Sequence, residues 1–103
     1  MGLDINIHAK TKLNGTYDWD YNGRGTFGYF KDFMVSELNY EYGKDMPLDK
    51  KKINVMAKRI LQEMPLFGED EWAINCNCEM LGSLLTCRNI IDNGGEATWE
   101  CDW

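Results

Sequence analysis

Basic residues are scarce in this chain. Eleven lysines and arginines face 17 aspartates and glutamates, leaving a formal charge of -6, and such a surface repels phosphate backbones and anionic membranes. Direct binding to nucleic acid is therefore not expected. Histidine occurs once, as His8, and serine only as Ser36 and Ser83, so a serine-histidine catalytic set has little to draw on. No apolar run nears the roughly 20 residues of a membrane helix, and the N-terminus lacks the basic-then-apolar order of a secretion signal. The expectation is a cytoplasmic protein that avoids membranes, in which Cys76, Cys78, Cys87 and Cys101 are reduced thiols rather than disulfides.

What is present suits a packed core. Of 103 residues, 44% are apolar and 13% aromatic, which argues for one domain over 1–103 and against disorder. Residues 3–13 alternate, with Leu3, Ile5, Ile7, Ala9 and Thr11 on one side and Asp4, Asn6, His8, Lys10 and Lys12 on the other, the pattern of a strand with one wet face. Asn14-Gly15 and Asn22-Gly23 are both hairpin signals, so a three-stranded meander is expected over the first 30 residues. A three-residue loop at each turn pairs Thr11 with Tyr17, Ala9 with Trp19, Ile7 with Tyr21, Lys10 with Asp18 and His8 with Asp20, then Asp20 with Arg24 and Tyr17 with Phe27. Opposite charges would then meet across strands.

From Phe30 the period changes. Phe30, Phe33, Met34, Leu38 and Tyr42 keep helical spacing up to a cap at Gly43, and a second helix is expected from an Asp49 cap through Ile53, Met56, Ala57, Ile60, Leu61 and Met64 to Pro65. Lys50, Lys51 and Lys52 read as its solvated first turn. Residues 71–80 fit both periods; strand to Cys78, then helix over 79–91, is the expectation. A final strand carries Ala97, Trp99, Cys101 and Trp103 on one face. The fold class is α+β: an antiparallel sheet, made of the meander and the C-terminal strand, with two to three helices on one face. Tyr17, Trp19 and Phe27 should lie beneath the helix at 49–64.

Four patterns bear on chemistry. Asp18, Asp20 and Asn22 with Gly23 match the first half of a calcium loop, but Tyr29 stands where the bidentate glutamate belongs. Residues 23–28 spell G-x-G-x-x-G, which can cradle a pyrophosphate between strand and helix, although no βαβ unit accompanies it. Cys76, Cys78, Cys87 and Cys101 could supply four thiolates to zinc, yet C-x-C is not the usual C-x-x-C knuckle, and cysteines on apolar stripes more often serve as small hydrophobes. His8 with Asp20 reads as a surface pair rather than as a catalytic one. Enzymatic activity and a cofactor are not expected.

The opening Met1-Gly2-Leu3-Asp4-Ile5 resembles that of a set of small bacteriophage and prophage proteins that begin Met-Gly-Leu-Asp before an alternating strand, and Gly28-Tyr29-Phe30-Lys31 echoes a Gly-Tyr-aromatic-basic stretch in them. The resemblance spans about ten residues and carries no ligand or catalytic positions. It implies a phage-type accessory protein that binds and inhibits a host protein, an anti-CRISPR or other anti-defence inhibitor among the options, with a nucleic-acid-binding defence protein as a fitting target for an acidic surface. Asp18, Asp20, Glu69, Asp70, Glu71, Glu100 and Asp102 are the expected partner-binding carboxylates, with Tyr40 or Trp103 as aromatic anchors. The alternative is a module for a small ligand, a nucleotide signal or a metal.

Overall fold

The computed structural model describes residues 3–11, 17–25 and 29–102. The chain runs through β1 (Leu3–Thr11), β2 (Tyr17–Gly25), α1 (Tyr29–Leu38), the two-residue β3 (Met46–Pro47), α2 (Lys50–Glu63), a 3-10 turn (Met64–Phe67), α3 (Glu71–Asp92) and β4 (Glu96–Asp102). The strands form one antiparallel sheet in the order β2-β1-β4-β3. This is the expected α+β class, with all three helices contributing to a single core on one side of the sheet.

Alternation dictates which side. Ile5, Ile7 and Ala9 of β1 are buried opposite Gly23, Tyr21 and Trp19 of β2 and opposite Cys101, Trp99 and Ala97 of β4. The pairing of β1 with β2 is the expected one, from Thr11 with Tyr17 to His8 with Asp20; the loop that sets it lies outside the described residues. The second turn is a correction. Asn22-Gly23 lies within β2, Asn22 facing Asn6 and Gly23 facing Ile5, so Arg24 stands opposite Asp4 instead of Asp20. Gly23 is there for space: a β-carbon would overlap the Tyr21 hydroxyl, because the Tyr21 ring folds over it. The expected partner of Tyr17, Phe27, lies outside the described residues.

The first helix stops earlier than its spacing suggests. Asn39 takes a positive φ of 53° and the Tyr40 amide returns to the Met34 carbonyl at 2.9 Å, so Asn39 and not Gly43 ends α1. Phe30 of this helix packs at 5.8 Å between ring centroids on the fully buried Trp99, and at 5.3 Å on Phe33. α2 forms where expected, with Asp49 accepting from the Lys52 amide at 2.7 Å and Ile53, Met56, Ala57 and Ile60 buried, but Leu61 is 58% exposed and Glu63 takes the last buried position.

The largest correction concerns residues 71–80, which are helix throughout. Asp70 caps α3 by accepting from the Ala73 amide at 3.1 Å. The buried stripe is Ala73, Asn77, Met80, Ser83, Leu84 and Cys87, which has helical spacing but includes two polar residues. Each returns to its own helix: Asn77 Nδ2 donates to Ala73 O and Ser83 Oγ to Glu79 O, both at 2.8 Å. Their short side chains let α3 lie against β2, β1, β4 and α2. Thus α3, not α2, covers β2, and Trp19 is only half-buried at that end of the sheet. A Schellman motif closes α3, with Gly94 N donating to Ile91 O at 3.0 Å and Gly95 N to Ile90 O at 2.9 Å.

β4 would be an exposed edge beyond β3 were it not sealed. Leu48 N donates to Ala97 O at 2.9 Å, Met46 pairs with Trp99, and the buried Tyr40 hydroxyl accepts from Cys101 N at 2.8 Å and donates to Cys101 O at 3.3 Å. A side chain thus supplies the last rung of the ladder. Tyr40 is 4% exposed, so it is a structural residue and not an exposed anchor; Trp103 lies outside the described residues.

Candidate functional site: the open face of the sheet

Among the described residues, no helix lies on the second side of the sheet. Along β1 it presents Asp4, Asn6, His8 and Lys10, along β2 Asp18, Asp20, Asn22 and Arg24, and along β4 Glu96, Thr98, Glu100 and Asp102. All are exposed except Thr98 and Glu100, which are intermediate. Six carboxylates here face two permanent cations, Lys10 and Arg24. The arrangement follows from period-two alternation, because the residues that cannot enter the core all fall on one side.

Local pairs temper the charge. The His8 imidazole hydrogen-bonds through Nδ1 to Asp20 and lies 3.8 Å through Nε2 from Asp18. The Asp20 hydrogen bond, then the charges of Asp20 and Asp18, raise the His8 pKa above its ordinary 6.5. Arg24 Nε lies 3.4 Å from Asp4. Beside Asp4 in the same row, Asp102 accepts from the Tyr42 hydroxyl, which raises the Tyr42 pKa. These exposed pairs orient side chains and contribute little stability.

Of the expected partner-binding carboxylates, Asp18, Asp20, Glu100 and Asp102 come together on this face, joined by Asp4 and Glu96. Glu69, Asp70 and Glu71 do not join them, since they lead into α3 in the helix layer, where Asp70 serves as the cap. Asp4 and Glu96 follow from the same alternation but emerge only once the β1 to β4 register is known.

The other candidates are dispersed. Asp18, Asp20 and Asn22 occupy a regular strand, where alternate residues stand about 6.6 Å apart in a row and cannot wrap a cation as a loop does. Gly23 and Gly25 also belong to β2, so the first half of the glycine pattern is strand; Thr26 to Gly28 lie outside the described residues. Cys76 and Cys78 fall about 200° apart around α3, and Cys87 lies about 16 Å further along it than Cys76. Among the described residues no group of three or more His, Cys, Asp or Glu is placed to hold a metal ion. Cys87 and Cys101 are buried, and burial pushes both thiols up to about 11. Cys76 is half-buried, whereas Cys78 is exposed. The two serines are occupied on their own helices, Ser36 Oγ donating to Asp32 O at 2.7 Å and Ser83 Oγ to Glu79 O.

Two depressions flank β3: one of about 320 Å³ beside Tyr40, Lys44 and Met46, and one of about 290 Å³ beside His8, Lys10 and Thr98. Both stand at the bottom of the ~300–1,000 Å³ range of small-molecule sites. No helix among the described residues is long and apolar enough to cross a membrane. Fold and face together define an α+β chain with an uncovered, acid-rich sheet surface. No family model, curated protein or solved structure matches the chain.

Proposed function

We propose that this chain is a non-enzymatic binding protein that docks its open acidic sheet face onto a basic surface of another protein and inhibits that protein by occupying it. The observation that carries this reading is the gathering of Asp4, Asp18, Asp20, Glu96, Glu100 and Asp102 on one uncovered face. An open surface of this kind offers area and field, and complementary fields speed capture of an oppositely charged partner. The Met-Gly-Leu-Asp opening supports a phage-type accessory role in the host cytoplasm. A nucleic-acid-binding defence protein is the fitting target, because its phosphate-binding surface is basic.

The test is affinity capture from a bacterial lysate, with the wild type beside the double variant Asp20→Lys, Glu100→Lys, at low and high salt. The reading expects one host protein retained at a fixed stoichiometry by the wild type, lost with the double variant and weakened by salt. Capture indifferent to both, or turnover of a substrate by catalytic amounts of the chain, would overturn it.

A further inference from the structure

The two edges of the sheet are treated differently. β4 is sealed by β3, Leu48 and Tyr40, whereas β2 is a terminal strand of nine residues, and among the described residues no backbone hydrogen bond reaches its outer side. The phase of that edge follows from the sealed one. Ala97 and Cys101 direct their backbone groups outward, to Leu48 and Tyr40, and direction alternates along an antiparallel strand. Glu96, Thr98, Glu100 and Asp102 therefore bond β1, Ile5, Ile7 and Ala9 of β1 bond β2, and Asp18, Asp20, Asn22 and Arg24 present free N–H and C=O groups outward.

We propose that β2 pairs with β2 of a second copy of this chain, antiparallel about a two-fold axis at Tyr21, making one continuous eight-stranded sheet. In this register Asp18 meets Arg24 of the second copy, Arg24 meets its Asp18, and Asp20 meets its Asn22. All four outward-directed residues then fall in hydrogen-bonded positions, both helix layers lie on the same side, and all nine residues of the strand are used. Charge and strand length together select this register. Sliding by two residues in one direction sets Asp20 against Asp20; sliding in the other keeps two carboxylate–guanidinium contacts, as Asp20 with Arg24, but withdraws Tyr17 and Asp18, so that only seven residues of the strand pair and Asn22 meets Asn22.

Rows running across the sheet give the same answer. Glu96, Lys10 and Asp18 form one cross-strand row, and Asp4 and Arg24 belong to another. Joined at the proposed axis they read Glu96, Lys10, Asp18, then Arg24, Asp4 and Asp102 of the second copy, so charge sign alternates across five strands and repeats only at the sixth, where Asp102 stands beside Asp4. Opposite charges directly across a strand pair are favourable and like charges are not. Bare edges of this length are otherwise guarded against pairing; here the charges are arranged so that a copy of the same strand is the partner that fits. The inference does not rest on the proposed function: the backbone edge of β2 carries the pairing, and although Asp18, Asp20, Asn22 and Arg24 also belong to the open face, self-association is measured without any host protein.

Asp18 and Arg24 are 58% and 63% exposed in their side chains, so each can be reversed without touching the core. Sedimentation equilibrium over a dilution series should find a dimer for the wild type. Asp18→Arg alone and Arg24→Asp alone should each raise the dissociation constant by about tenfold or more, because each sets two like-charge pairs across the axis. An equimolar mixture of the two variants should restore dimers, as mixed pairs only, because every cross-axis contact is then of opposite sign. A wild type that stays monomeric, single variants that dimerise as well as it does, or a mixture that does not recover would each overturn the proposal. A second readout leaves these charges untouched: in a Cys78→Ser background, Asp20→Cys chains mixed with Asn22→Cys chains should be joined by a short bifunctional maleimide at those two positions. Failure to join them would overturn the register.

Discussion

Burial decides what each cysteine can do. The Cys87 and Cys101 thiols are enclosed in the core and pushed up to about 11, whereas Cys78 stands on the exposed side of α3. Since the thiolate is the reacting species, alkylation of the native protein near pH 8 should modify Cys78 first, Cys76 more slowly, and Cys87 and Cys101 only on unfolding. Peptide mapping over time checks the order, and early labelling of Cys101 would contradict the packing around Trp99. His8 gives a second readout. Its pKa is raised above 6.5 by Asp20 and Asp18, so the fold favours the imidazolium. The associated stability is fully present below about pH 6.5 and is lost as pH rises through the raised value. Following the His8 ring resonances by NMR, Asp20→Asn should bring the titration back toward 6.5; an unchanged midpoint would show that the pair does not form in solution.

At the scale of elements, what was legible in the sequence depended on whether the buried stripe is apolar. β1, β4 and α2 bury Ile, Ala, Met, Trp and Cys at regular intervals, so period alone finds them. Four of the six carboxylates on the open face, Asp18 and Asp20 of β2 and Glu100 and Asp102 of β4, could be read for the same reason. The start of α3 does not follow from period alone, because Asn77 holds a buried position while Trp72 is 51% exposed. An Asp70 cap three residues before Ala73 was the available signal. Asn22-Gly23 misled for another reason: the glycine serves the Tyr21 ring and not a turn. Nothing local announces Tyr40, which acts as a rung of the sheet 61 residues before its partner Cys101. Tyr40→Phe leaves the Cys101 N–H and C=O buried without that partner and should cost about 1–3 kcal/mol. Urea titration measures it, and a loss of a few tenths would mean that this edge is not sealed by the hydroxyl.

For the whole molecule, one core holds a sheet whose second face is open among the described residues. Trp99 stands at the centre of that core, fully buried against Phe30. Trp99→Ala should cost about 3–5 kcal/mol, a large share of the ~5–15 kcal/mol that holds a domain together. Trp19, half-buried at the β2 end of the sheet, should cost less on the same substitution. Equal losses in thermal melts would contradict the placement of α3. Site-specific photo-crosslinking tests whether the open face binds a host protein. A photoreactive residue at Asn6, between Asn22 and Glu100 on the open face, is compared in a bacterial host with one at Lys58, exposed on α2. The account predicts a discrete adduct with one host protein from position 6, none from position 58, and loss of that adduct when Asp20 and Glu100 are changed to lysine. An adduct formed only from position 58, or one from position 6 that survives the charge reversal, would contradict it.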